Sequence, residues 1–280
     1  MIPCVIALVR TATMHGNCKA FLVLSSLCSI LLLISQIAVF IFDIVIDNLA
    51  PMSDVKERWF LVFHNVFYFT TSCLSLVIAL ERCHAIRNPA AYEQQSVNYF
   101  LVLTALFLAT LYAVCTVYLI YWHGIYFETI YMMYAIEATV ILISAGLYFY
   151  SKQRLRDLPY TSDRVNAKYQ VVEILEFSRA IVPALVLSAG LKSASLIPTM
   201  LWQAGIISYV LCCLFYFTIH ALNCILMKAT LFYYHRALWK NLQRLLFCAS
   251  GRISPEPAPA ASKEDETKLY FSMIQSSWNQ

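Results

Sequence analysis

Long apolar runs broken by short polar stretches fill most of this chain, and six runs reach the roughly 20 residues that a membrane span requires. They are Ala20–Ile46, Trp59–Leu80, Tyr99–Trp122, Thr129–Tyr150, Ala180–Leu201 and Gly205–Lys228. The breaks are short, except for the polar stretch Ser151–Arg179. From Lys168 onward that stretch carries Val171, Val172, Leu175 and Ala180 among charges. This pattern predicts a helix already running when it enters the membrane.

Beyond the last span the pattern changes twice. In residues 229–248, "HRALWKNLQRLLFC" sets Leu238, Leu242 and Leu245 at helical spacing, with Arg236, Lys240 and Arg244 on the other side. It predicts an amphipathic helix lying in the interface. Cys248 at its end is a candidate for lipidation. Residues 249–280, with "GRISPEPAPAASKEDETK", have the composition of a disordered tail.

Composition makes the membrane reading firm. Of 280 residues 60% are hydrophobic and 13% charged, with a mean hydropathy of +0.66. Soluble domains carry roughly 25% charged residues, so this chain lacks the polar groups to cover a wetted surface. An all-α membrane protein with the lipid bilayer as its surroundings is the expected class. The net charge of +4 is modest, and no nucleic-acid partner is expected. Ten cysteines lie mostly inside apolar runs, with no CxxC pair. They read as small buried hydrophobes, and neither a metal nor a cofactor is expected.

Lysine and arginine placement orients the chain. Segments 1–19, 81–98, 151–179 and 228–280 hold two, two, six and seven of them, against two (Lys56 and Arg58) in the opposite loops. The N-terminal segment and the C-terminus are therefore expected in the cytoplasm. Six spans fit that count, yet "MIPCVIALV" reads as the inner end of another helix, followed by the basic loop "RTATMHGNCK". The expected plan is a seven-helix bundle with most of the first helix missing. Residues 1–19 are then its remnant and 20–228 the six full spans.

On that count "LSLVIALERCHAIRNPAAYE" closes the third helix on its cytoplasmic side. Glu81 and Arg82 there have two readings: a snorkelling pair at the interface, or the latch of a signalling switch. With "MHGNCKAFLVL" (Met14–Leu24) and "VNAKYQVVEILEFSRAIVP" (Val165–Pro183), this stretch resembles the nematode serpentine chemoreceptors of classes a, ab, b and e, class e first. Glu81, Arg82, Ala85, Tyr92 and Glu93 match the family's E-R-x-x-A…Y-E signature. Tyr169, Gln170 and Glu173 match its Y-Q-x-x-E-N, with Ile174 replacing the usual Asn. The chain departs from rhodopsin-like receptors in having no Asn-Pro-x-x-Tyr and no cysteine in the predicted outer loops.

The resemblance implies a G-protein-coupled chemosensory receptor in the plasma membrane, in sensory cilia, with a small-molecule ligand and a heterotrimeric G protein as partners. Arg82, held by Glu81, would be released toward the G protein when the sixth helix of the seven-helix plan moves against the third. No catalysis is implied. Other readings are a truncated, non-signalling receptor product and a multi-pass transporter or channel, which would show interrupted helices around a midplane site. An intramembrane enzyme needs clustered His or acids, and counting from the span ends sets His64 and His220 at very different depths.

Charges inside spans are functional hypotheses by default. Glu137 and Lys192 fall at matching depth in consecutive spans and are expected to pair, as a bundle-stabilising bridge or as part of a ligand pocket. His64 and Asn65 lie near the outer end of their helix among aromatics. They belong either to an interfacial belt or to a pocket shared with Tyr68, Tyr118, Tyr121, Trp122, Tyr131 and Tyr134.

Overall fold

The computed structural model describes residues 1–11, 14–41, 59–87, 89–93, 95–157 and 165–247. The elements are α1 (Ile2–Arg10), α2 (Gly16–Val39), α3 (Trp59–Arg87), α4 (Pro89–Glu93), α5 (Tyr99–His123), α6 (Tyr126–Asp157), α7 (Val165–Gln203), α8 (Tyr209–Tyr234) and α9 (Arg236–Phe247). Six of them, α2, α3 and α5 to α8, are long and apolar enough to cross a membrane. The protein is an all-helical, multi-pass membrane protein.

Two compact units are present, Met1–Gln243 and Arg244–Gln280. The first is the helical bundle. Of the second, the end of α9 is described; Cys248 and the predicted tail, like Asp43, Lys56 and Arg58, lie outside the described residues.

Outward-facing side chains match a lipid solvent. Phe100, Leu142 and Tyr131 are each about 70–80% exposed, an arrangement that water would penalise and acyl chains do not. The centre of the bundle is α3, which packs on α2, α5, α6 and α7, while α8 lies along α7. Serines and threonines face inward, several bonding a carbonyl one turn back, as Ser26 Oγ does to Leu22 O at 2.7 Å. Those that do so bring polarity to the interior with their donors matched.

Several helices run past the ends expected of them. α6 continues to Asp157 and α7 starts at Val165, so the polar stretch 151–179 is mostly helix. α8 passes Lys228 and ends at Tyr234, because "ATLFYY" keeps the segment apolar; it takes six residues assigned above to the interfacial segment. α1 is a helix whose Ala7 and Leu8 are fully buried, packed on α2.

Two connections are clasped at the Arg82 end. His15 caps α2 by accepting a hydrogen bond from Asn17 N at Nδ1, 3.3 Å. The chain leading into α5 lies against this cap: Asn98 N donates to Asn17 Oδ1 at 2.8 Å, and His15 Nε2 lies 3.2 Å from Gln95 O. Gly16 allows the approach, because a Cβ there would overlap the Val97 Cγ2 methyl.

Candidate functional site

At one end of the bundle Arg82 is fully buried. Its Nε and Nη2 donate to the two oxygens of Glu81 at 2.5 and 2.7 Å, and Nη1 donates to Glu173 Oε1 at 2.7 Å. A guanidinium fork suits such bidentate pairing. Nη2 also donates to Tyr92 OH at 3.2 Å, and the Tyr92 ring lies tilted against His15, their centres 4.0 Å apart. His15 N in turn donates to Glu173 Oε1 at 3.1 Å.

The four groups converge from α3, α4 and α7, held by a collar of Ala85, Ile86, Tyr92, Leu147 and Ile174. Ile174, fully buried in that collar, supplies packing where the resembled family has Asn. A snorkelling head would reach water; this one does not. α4 carries Tyr92 into the cluster, whereas Glu93 closes α4 with its side chain outside the described residues. Gln170 is buried and Tyr169 is half-buried on the same turns of α7 as Glu173.

Deeper in the bundle Lys192 of α7 pairs with Glu137 Oε1 of α6. Lys192 Nζ also donates to Ser72 Oγ at 3.0 Å and sits 5.0 Å from the Tyr68 ring centre. Both ionic residues are at least nine-tenths buried. In such surroundings each is costly alone, and the mutual attraction offsets desolvation only when geometry and hydrogen bonds are complete.

Lys192, but not Glu137, lines a cavity of about 480 Å³, within the range of small-molecule sites. Phe69, Met133, Tyr134, Trp202 and Phe217 make much of its wall, and Lys192 is its one charged lining residue. Asn65 also lines it, donating to Tyr121 OH at 2.5 Å. Of the aromatics expected there, Tyr68, Tyr121 and Tyr134 are present. Tyr118, Trp122 and Tyr131 instead turn outward and are largely exposed, because they occupy the lipid side of α5 and α6. His64 is fully buried behind the wall, edge-on to Phe217 at 5.3 Å.

His64 and His220 do not lie at separate depths: their rings are 6.2 Å apart. Counting from span ends assumed that all helices begin on one plane and that the last span starts at Gly205, whereas α8 starts at Tyr209. No group of three or more metal-ligating side chains occurs among the described residues.

Two smaller cavities continue from this one toward Arg82. One of about 40 Å³ shares Tyr68, Lys192 and His220 with it and adds Glu137 and Asn223. The other, of about 20 Å³, reaches Lys228 and Arg82.

Lys228 was read above as a cytoplasmic charge at a helix end, yet it is 3% exposed inside α8. The apolar run after it was the available signal. Arg82 and Lys168 are also buried, so the orientation argument rests on the remaining basic residues. His15 carried no chemical signal in sequence, since its role depends on meeting α4 and α7.

The chain matches no protein-family model, no curated protein and no solved structure in the three comparisons made.

Proposed function

We propose that this protein is a G-protein-coupled chemosensory receptor on the seven-helix plan, similar to the nematode serpentine receptors of class e. The Arg82 end faces the cytoplasm, and a small, mainly apolar molecule enters the 480 Å³ cavity from outside. The observation that carries this reading is the buried bridge from α3 to α7, in which Arg82 holds Glu81 and Glu173 together.

A receptor needs an element with two arrangements that ligand and partner both bias. α7 has the parts for one. It contributes Lys192 to the cavity and Glu173 to the Arg82 cluster, and Pro183 lies between them within the helix. Proline removes a ladder hydrogen bond and is a usual site of helix bending. Ligand contact at Lys192 would tilt α7, withdraw Glu173 and free Arg82 for the G protein.

The test is nucleotide exchange on heterotrimeric G proteins by the reconstituted receptor, without ligand. Glu173→Gln is expected to raise basal exchange several-fold over the native chain. No exchange above the empty-bilayer rate, from either protein and with each G-protein class, would reject the receptor reading.

A transporter reading draws on the three cavities that share lining residues along the bundle. Solute flux into sealed vesicles, insensitive to G protein, would favour it.

A further inference from the structure

Lys228 projects into the bundle from α8 and donates to Ser25 Oγ of α2 at 3.2 Å. None of the three ion pairs among the described residues includes it. A buried ammonium without a counter-charge is among the least favourable groups in a membrane interior.

The chamber beside it, about 20 Å³, has Lys228 and Arg82 in its wall together with Ser25, Ser75, Ser144 and Ser178. Among the described residues no acidic side chain lines it. Arg82 is engaged by Glu81 and Glu173, two carboxylates to one guanidinium, but neither carboxylate lines the chamber, so the unpaired charge that faces it is that of Lys228. Ser178, 1% exposed, has a buried hydroxyl with no hydrogen-bond partner. Buried polar atoms are almost always satisfied, and this one lines the same chamber as the ammonium.

We propose that this chamber is a binding site for one small monovalent anion of the halide class, chloride in the cell, held between the Lys228 ammonium and the Ser178 hydroxyl. Both groups donate hydrogen bonds, and an ammonium and a hydroxyl together offer an anion charge as well as direction. The volume suits one monatomic ion; sulfate and carboxylates are too large. A water molecule fits the space as well, but it leaves the Lys228 charge uncompensated.

The wall draws on α2, α3, α6, α7 and α8. A bound anion therefore ties together the helices that surround Arg82 and stabilises the arrangement in which Glu173 engages it. In this role the anion opposes any motion that carries α7 away from α3. The site does not depend on what the protein signals to.

The experiment is thermal unfolding of the full chain in lipid nanodiscs, with sodium and ionic strength held constant. Replacing gluconate by chloride or bromide is expected to raise the unfolding temperature saturably, while sulfate has no such effect. Lys228→Met is expected to abolish the halide dependence, and Ser178→Ala to weaken the apparent affinity about tenfold, the scale of one charge-assisted hydrogen bond. Lys240→Met, at an exposed position of α9, should leave it intact. Equal unfolding temperatures in chloride, bromide, gluconate and sulfate would overturn the proposal and assign the chamber to water. Halide dependence surviving in Lys228→Met would overturn it too. If Lys228→Met does not fold, the anion series on the native chain decides alone.

Discussion

Arg82 Nη1 and Glu173 Oε1, 91 positions apart in the chain, meet at 2.7 Å with the arginine wholly out of contact with solvent. The bond fastens α3 to α7, while the sequence neighbour Glu81 takes the other edge of the same guanidinium. Removing a partner from such a cluster is far worse than never building it, because the remaining charges stay buried. Arg82→Ala strands two carboxylates and is expected to cost about 3–5 kcal/mol. Folded yield after detergent extraction, against Arg82→Lys as a milder change, measures it; native-like yield of Arg82→Ala would contradict the buried cluster.

Glu137 and Lys192 make a second prediction. Glu137→Lys and Lys192→Glu each place two like charges in the bundle interior and should abolish surface expression. The double reversal restores opposite charges at the same separation and should recover most of it. Failure of the double variant, with both singles dead, would show that the surroundings, Ser72 and Tyr68 included, accept only one polarity.

Gly16 makes a steric prediction. Gly16→Ala pushes a methyl into Val97 and is expected to destabilise by roughly 1–3 kcal/mol, the usual range for overpacking. Gly16→Ala combined with Val97→Ala should recover most of the loss in unfolding temperature. An additive loss in the double variant would show that backbone conformation, not contact, selects glycine here.

His235 predicts a pH dependence just beyond the end of α8. Burial pushes its imidazole down from the ordinary 6.5 to about 4. Its Nδ1 accepts from Leu238 N at 3.5 Å, capping α9, which requires a ring nitrogen without a proton. The folded form therefore binds fewer protons than the unfolded form between those values. Its contribution is fully present above about pH 6.5 and is lost as pH falls toward 4, about 3 kcal/mol in all. Hydrogen-exchange protection in the first turn of α9, taken relative to the intrinsic rate at each pH, should fall over that window. His235→Asn, which can still cap, should remove the dependence, and an unchanged pH profile in that variant would assign it elsewhere.

Much of the site was legible because its members are charged residues in apolar runs. Glu137 and Lys192 drew notice in the sequence for that reason alone, and Glu81 and Arg82 as an acid and a base set where an apolar run ends. Their partners were less visible. Tyr92 reaches Arg82 only because Pro89–Glu93 forms a short helix after α3, a turn that no periodicity marks. Lys228 was misplaced because a basic residue near the end of an apolar run looks the same whether it caps the helix or lies within it.

The order of apolar and polar residues is enough to make this chain a bundle of membrane-spanning helices, since spans must satisfy their own backbone and six apolar runs leave little alternative. It also fixed which residues would be expensive to bury. The pairing of Glu137 with Lys192 is expected from their depths, but the rest of that expense is met by packing: Glu173 on Arg82, His64 beside His220, and Lys228 facing a chamber with no acid among its described lining residues. His64 and His220 meet although counting along their helices sets them apart, so depth counted along a single helix does not say which side chains share a level. In a uniformly apolar helix the pattern does not mark which face turns inward, and packing makes that choice.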